Sequence, residues 1–422
     1  MSAKSKRPKA CLLALGDELL NGQQLDTNSS WLSEKLWALG WEVKTISIVG
    51  DDEQAIVDEL AAHGGQVDLI LTTGGLGPTL DDLTRHAVAR AAGCEIVLDD
   101  SVCKWLEHLF AELGRKMSPA NERQALFPEG AQVLANSNGT APGFRIQLAA
   151  GAWVVSMPGP PREVQSMFEE QVLPFLVESF GEVPEPRVAK FFLYGLPESV
   201  FAKEVGEWMS REAEPRMGVC ASGRVLKVRI ESTQPAVPRE EFDTRVNRFA
   251  QRFDSHIFSR TDPSTARALG SLLMKSGVTF ACAESCTGGE VASRLVAQEG
   301  ISQVFLEGFV TYSNRAKMDR LGIPQALLKA HGAVSPQVAG AMAAGAARAT
   351  GARLTLSTTG VAGPGGGSDD KPVGLVQVGI CCDGEVSTHE LRFPQRGRDL
   401  IRDWSVTSAC ELARRALLRI CD

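Results

Sequence analysis

Between residues 10 and 170, short apolar runs alternate with stretches in which apolar positions recur every three or four residues. ACLLAL (10–15) reads as a strand buried on both faces. TNSSWLSEKLWALG sets Leu32, Leu36 and Leu39 at helical spacing, with a Thr/Asn/Ser cap at its start and Gly40 as its stop. A strand at VKTISIV, a helix opened by Asp51 and Asp52, and a strand VDLILTT ending at Gly74 and Gly75 follow. Strands and helices alternating at this spacing predict βαβ units on a parallel sheet.

The texture changes from about 181 to 260. GEVPEPR leads into a strand VAKFFLYGL, a helix near 198–211, a strand VLKVRIEST and an amphipathic helix near 238–253. The turn-rich SRTDPST (259–265) marks a boundary. Beyond it the pattern predicts helix 265–276, strand VTFACA, helix 289–298, strand FLEGFVTYS and helices 314–330 and 335–350. Strand RLTLSTTG, a glycine-rich loop VAGPGGGSDDKP, strands GLVQVGICC and THELRF, and a last helix 398–420 complete it. The expected architecture is α/β: two three-layer domains with largely parallel sheets, 1–175 and 259–422, joined by a small α+β domain at 176–258.

A chain of 422 residues exceeds one core, and 44% hydrophobic with 23% charged residues is an ordinary globular mixture. The formal charge of -7 argues against direct nucleic-acid binding, which needs a basic surface to displace counterions. No apolar run is long enough to cross a bilayer, and the basic start MSAKSKRPKA precedes too short an apolar stretch for a signal peptide, so it reads as a lead-in to the first strand. Ten scattered cysteines without ligand spacing read as reduced thiols of a cytoplasmic protein.

The densest chemistry is AESCTGG (283–289), where a buried strand runs into a glycine turn and a helix. A side chain on that turn faces the crevice beyond the strand ends, where open α/β sheets bind ligands. Ser285 needs a base to become a nucleophile, and a desolvated lysine serves. Lys317, just past the next strand in VTYSNRAK, is in reach if the two strands are neighbours. Cys286 is a rival nucleophile, since a thiol beside a helix start can ionise. The loop holding Gly363 and Gly365, with Lys371 after it, reads as a ribose or phosphate contact. In the N-terminal part, LTTGGLGPTLDDLTRHAV offers a strand, a glycine turn whose amides suit phosphate, and Asp81 or Asp82 to hold a divalent ion or simply to cap the helix.

AESCTGG, VTYSNRAK and TTGVAGPGGGSDDKPVG, in this order, resemble the CinA family, and LGDELLNGQQLDTNSSWL, LTTGGLGPTLDDLTRHAV, FPEGAQVLANSNGTAPGF and MPGPPREVQSMF resemble its molybdopterin-binding-like N-terminal domain. The resemblance implies a C-terminal nicotinamide-nucleotide amidase needing no cofactor, with Ser285 as nucleophile, Lys317 as base and Tyr312 positioning the dyad or the pyridine ring. Thr287 with the amides of Gly288 and Gly289 would cradle an oxyanion or phosphate, and Arg398 or Arg402 would hold phosphate. For the N-terminal domain it implies a metal-dependent pyrophosphatase splitting ADP-ribose into AMP and ribose 5-phosphate. There Gly16, Gly74, Gly75, Gly77, Asn138 and Gly159 would bind nucleotide, Asp82, Asp51 and Glu18 would hold the metal, and Asp17 is a further candidate. The alternatives are a non-hydrolytic pterin or nucleotide-binding module at the N-terminus, an amidase for a different nucleotide amide, and a non-enzymatic competence or recombination adaptor. Small nucleotides are the expected partners, and a homodimer the expected assembly.

Overall fold

The parallel strands predicted in the first 170 residues form one sheet with the order β2-β1-β3-β8-β7-β6 in a computed structural model. It describes residues 7–421 except 182, 184, 185, 211, 212 and 233–236. The basic lead-in at 1–6, parts of the 181–187 linker and the element ends expected at 211 and 233 lie outside the described residues. Contacts divide the chain into two units, Met1–Pro186 and Arg187–Asp422.

In the first unit, β1 (Lys9–Leu15), β2 (Glu42–Val49), β3 (Leu69–Thr73) and β8 (Trp153–Met157) run parallel, while β6 (Gln132–Leu134) and β7 (Gly143–Gln147) add an antiparallel edge. A separate two-stranded ribbon pairs β4 (Ile96–Leu98) with β5 (Leu126–Pro128). The unbroken apolar run of β1 has a simple cause. Cys11, Leu13 and Leu15 enter the core on one face of the sheet, and Ala10 and Leu12 enter the core on the other. Each fully buried leucine contributes about 1.5–3 kcal/mol of apolar transfer, so both faces are strongly specified. The helix Thr27–Ala38 is capped by Asp26, whose carboxylate accepts the Ser29 amide at 2.9 Å, one residue before the expected Thr/Asn/Ser cap. Ala14 aligns with Thr73 and Thr73 with Met157, so the C-terminal ends of β1, β3 and β8 meet along one edge.

The second unit holds two sheets. The first, β10-β11-β9-β12, is antiparallel throughout: β9 (Arg187–Tyr194), β10 (Arg216–Ser222), β11 (Val225–Ser232) and β12 (Ile257–Ser259). Helices Glu198–Val205 and Arg239–Arg252 cover it through a cluster that includes Phe191, Phe201, Phe249 and Phe253. The expected helix at 198–211 leaves the α conformation at Gly206, where the backbone turns to positive φ.

The other sheet has the order β14-β13-β15-β16-β17. Strands β13 (Phe280–Glu284), β14 (Phe305–Val310) and β15 (Leu354–Gly360) are parallel, whereas β16 (Leu375–Cys382) and β17 (Glu385–Arg392) form an antiparallel hairpin. The hairpin follows from a two-residue turn, Asp383 and Gly384, both at positive φ, which matches the twist of the paired strands. Helices Thr265–Ser276 and Arg398–Cys421 pack on one face, and Asn314–Leu321 and Pro336–Thr350 on the other, giving three layers. The helix expected at 314–330 is two helices, because Gly322 ends the first in a left-handed cap and Pro324 starts Gln325–His331. Among the described residues no helix is long and apolar enough to cross a membrane.

Candidate active site

Backbone pairing continues past the strand ends at the C-terminal edge of the three parallel strands. The Ser285 amide donates to the Thr358 carbonyl at 2.9 Å, and the Thr311 amide to the Glu284 carbonyl at 2.8 Å. Ser285 and Thr311 are thereby held side by side. Ser313 then caps helix Asn314–Leu321 through the Ala316 amide, and one turn on, Lys317 reaches back over the strand end. Its Nζ lies 3.0 Å from Ser285 Oγ, 2.8 Å from the Thr311 carbonyl and 3.4 Å from the Tyr312 carbonyl. Lys317 is 1% exposed and Ser285 9%. Burial pushes the Lys317 ammonium below the usual lysine range, with no carboxylate to offset it.

The nearest carboxylate in sequence, Glu284, is turned away and fully engaged. Its Oε2 accepts the Thr287 hydroxyl at 2.6 Å and the amides of Gly289 and Val291 at 3.0 and 3.1 Å, and its Oε1 accepts the Ala292 amide at 2.9 Å. The buried carboxylate thus caps helix Glu290–Val296 and fixes the turn carrying the serine.

This arrangement corrects two expectations. Of the donors expected there, the Thr287 hydroxyl and Gly289 amide serve Glu284, and the Gly288 amide donates to the Ser285 carbonyl at 3.2 Å. Among the described residues, the amides of the turn left without a protein partner are those of Cys286 and Thr287. Cys286 is not the rival nucleophile, since its buried thiol is pushed up to about 12 and it is the serine that Lys317 touches.

Tyr312 stands at the mouth, 62% exposed, and its hydroxyl accepts from Arg398 Nη2 at 3.1 Å. Arg398 Nη1 also donates to the Gly363 carbonyl at 2.9 Å, bringing tyrosine, arginine and glycine loop together beside the dyad. Arg402 braces the nucleophile turn instead, donating to the Thr287 carbonyl at 2.9 Å and lying 3.4 Å from Glu290. Gly365 sits on the exposed stretch of the loop, and the Lys371 ammonium is tied to the His331 carbonyl at 2.6 Å.

A second site occupies the strand-end edge of the first unit, a cleft of about 360 Å³. Gly16, Gly74, Gly75, Gly77, Gly159, Glu18, Asp51 and Asp82 line it, as expected residues brought together. Gly74 and Gly75 hold positive φ, and a Cβ on either would meet the Leu15 carbonyl oxygen or Thr84 Oγ1 at 2.2 Å, so the turn admits no side chain. Asp82 organises the loop: its oxygens accept the Gly77 amide at 2.6 Å, the Thr79 amide at 2.7 Å and the Thr79 hydroxyl. Asp17 lies behind the cleft, exchanging amide-to-carboxylate bonds with Asp51 at 3.1 and 3.2 Å. Asn138 does not line the cleft, because its amide is turned back to Asn136 Oδ1 at 3.1 Å. Burial, with Asp17, Glu18 and Asp81 nearby, raises the Asp51 carboxyl against the opposing Asp17 amide.

The cleft lining contains five carboxylates and no Lys, Arg or His. An all-oxygen donor set suits a hard divalent ion such as Mg²⁺ or Mn²⁺. Among the described residues no three acidic, imidazole or thiol groups converge as a ready-made cage. An ion here would take one or two carboxylates and complete its shell from phosphate and water.

Residues 262–417 match the model of the CinA C-terminal domain, and residues 11–178 that of the probable molybdopterin binding domain. Relatives carrying the name competence-damage inducible protein align along nearly the whole chain. That of Clostridium novyi (strain NT) is 38% identical over 413 residues, covering 97% of this chain and 99% of its own. One from Clostridium kluyveri is 38% identical over 415 residues, covering 97% and 100%. The chain belongs to the CinA family. Among solved structures, the competence/damage inducible protein CihA from Agrobacterium tumefaciens is 42% identical, covering 36% of this chain and 93% of its own, with a TM-score of 0.35.

In this CinA chain the residues that sequence reading passed over are Glu284, Thr358, Thr311 and Asn136. Glu284 carried a signal, a carboxylate five positions ahead of a helix N-cap. The carbonyls of Thr358 and Thr311 carried none, since backbone acceptors have no residue signature.

Proposed function

We propose that the C-terminal domain of this CinA chain hydrolyses the carboxamide of nicotinamide mononucleotide to nicotinate mononucleotide and ammonia. The observation that carries the reading is a buried Lys317 amine 3.0 Å from Ser285 Oγ with no carboxylate partner among the described residues. A neutral amine has two N–H donors and one lone pair. With the N–H groups on the Thr311 and Tyr312 carbonyls, the lone pair is left for the serine proton. Ser285 Oγ then attacks the carboxamide carbon, and the oxyanion takes the Cys286 and Thr287 amides. The C–N bond breaks as Lys317 returns its proton to the departing ammonia. Water, deprotonated by the same amine, hydrolyses the acyl-serine. Arg398, at the mouth beside Tyr312, is the cation placed for the phosphate.

The test is ammonia release from nicotinamide mononucleotide, free nicotinamide and NAD. The mononucleotide should be the preferred substrate, and Ser285→Ala and Lys317→Ala should each lower kcat by about 10³-fold or more. Activity surviving in Ser285→Ala, or preference for another nucleotide amide, refutes the reading.

We infer also that the N-terminal cleft hydrolyses ADP-ribose to AMP and ribose 5-phosphate. The support is a glycine turn at converging strand ends beside a wall of carboxylates, which would hold a diphosphate only through an intervening cation. Glu18 and Asp51 are the side chains placed to hold that ion, which when bound would neutralise the diphosphate and polarise its phosphorus. Release of AMP from ADP-ribose with Mg²⁺ or Mn²⁺ tests it, and no AMP under either ion favours a binding module.

A further inference from the structure

The five cleft carboxylates of the N-terminal site are not held alike. Asp51 feels the charges of Asp17, Glu18 and Asp81, and Asp82 is spent on the loop. Glu163 stands apart. It belongs to MPGPPREVQSMF, in the first turn of helix Pro161–Met167, and lines the same cleft. Among the described residues its side-chain hydrogen-bond partner is Asn136.

Its placement is enforced by a residue with no other freedom. Asn136, buried, donates its Nδ2 to Glu163 Oε2 at 2.7 Å and to the Ala141 carbonyl at 2.9 Å, and accepts the Asn138 amide on Oδ1. Both of its Nδ2 hydrogens are committed, one to the carboxylate and one to the loop, and its Oδ1 is held by the same loop. That loop closes on the carboxyl so tightly that a Cβ on Gly139 would lie 2.4 Å from it. One oxygen, Oε2, is thereby anchored, while Oε1 has no protein partner among the described residues. Burial raises the Glu163 carboxyl above the usual glutamate range, with the Asn136 bond opposing. An anchored carboxylate with one free oxygen, lining the same cleft as Glu18 and Asp51, is built to accept a proton.

We propose that Glu163 is the general base of the N-terminal site, taking a proton from the water that attacks the phosphoanhydride. The inference rests on the ADP-ribose hydrolysis reading above. The water oxygen bonds to phosphorus, its proton passes to Glu163 Oε1, and the bond from phosphorus to the bridging oxygen breaks. The departing phosphate monoester keeps that bond's electron pair, and Glu163 returns its proton to solvent before the next turnover.

The experiment uses the full chain with ADP-ribose and Mn²⁺, following AMP release against pH and ADP-ribose affinity by calorimetry. Glu163→Gln should lower kcat by about 10²–10⁴-fold with affinity and KM changed less than about threefold, and its residual rate should lose the acidic limb of the pH profile. Glu163→Asp, which keeps the charge, should recover part of kcat and retain that limb. Asn136→Ala removes a bond that favours the ionised form, so its acidic limb should move to higher pH. A Glu163→Gln variant that raises KM and leaves kcat intact makes Glu163 a substrate ligand and overturns the proposal, as does one with wild-type kinetics. If Glu163→Gln fails to bind ADP-ribose, the Glu163→Asp profile decides, and a lost acidic limb there overturns the assignment. Wild-type protein releasing no AMP removes the parent reading and this one together, whereas AMP from both wild type and Glu163→Gln removes only this one.

Discussion

The base role proposed for Lys317 rests on one side chain being placed out of solvent and, among the described residues, without a carboxylate partner. A lysine in water stays protonated until about pH 10.4, too high to accept a serine proton at neutral pH. Burial disfavours the charged form, so the proton is lost at lower pH in the folded protein. Below its folded pKa the amine is protonated and inert as a base, and above it the amine is competent. Amidase kcat should therefore rise with pH to a plateau reached below pH 10.4, and Lys317→Arg should abolish the plateau, because guanidinium keeps its proton. A pH–rate profile of ammonia release checks both, and a profile that still rises through pH 10 counts against the mechanism. The same physics disqualifies Cys286, for which burial penalises the reactive thiolate rather than producing the reactive form. Ser285 and Lys317 were both legible in the sequence because their residue types are chemically distinctive. The occupied state of Gly288 and Gly289 was not, since an amide's partner depends on which carboxylate folds over it.

At the scale of elements, both sites sit where parallel strands end and glycine turns begin helices, but different carboxylates hold those turns. Glu284 accepts three helix amides and a hydroxyl from within the core. Replacing it with alanine strands those donors, each worth about 1.5–3 kcal/mol when bonded to a charge. Glu284→Ala should destabilise the C-terminal domain by about 3 kcal/mol or more in denaturant unfolding, and should lose amidase activity in step because the serine turn depends on the cap. A variant with native stability would show that the carboxylate is dispensable. In the first unit Asp82 does the corresponding work across residues 77–82, so the motif that looked like a metal ligand is largely loop architecture. Hydrophobic periodicity located the parallel strands well, because a run buried on both faces has no polar interruption. It located both GLVQVGICC and THELRF as strands but not their antiparallel pairing, although Asp383 and Gly384 spell the turn, since hydrophobic periodicity carries no strand direction.

Across the whole molecule, each site is built from strand ends of its own sheet, over its own hydrophobic clusters. The two also differ in what they ask of solution. On the proposed reading the serine–lysine pair would use a proton acceptor made by burial, whereas the N-terminal cleft lining gathers five carboxylates and, among the described residues, no basic one. Chelation of divalent ions should accordingly stop AMP release from ADP-ribose while leaving ammonia release from nicotinamide mononucleotide within about twofold. Assaying both products in one preparation with and without EDTA decides this, and loss of ammonia release under EDTA contradicts it.

The sequence by itself determined the α/β class, the places where strands hand over to helices, and the residue types available at each crevice. These follow from local periodicity and from glycine and proline, whose backbone limits act wherever they occur. Tertiary structure alone decided which groups are free to react. Whether a lysine is neutral, an amide vacant or a carboxylate committed depends on what packs against it from other elements, as with Lys317 over Ser285 and Asn136 against Glu163, 32 and 27 residues apart. Desolvation and hydrogen-bond partnership belong to the assembled environment of a residue, and no local pattern encodes them.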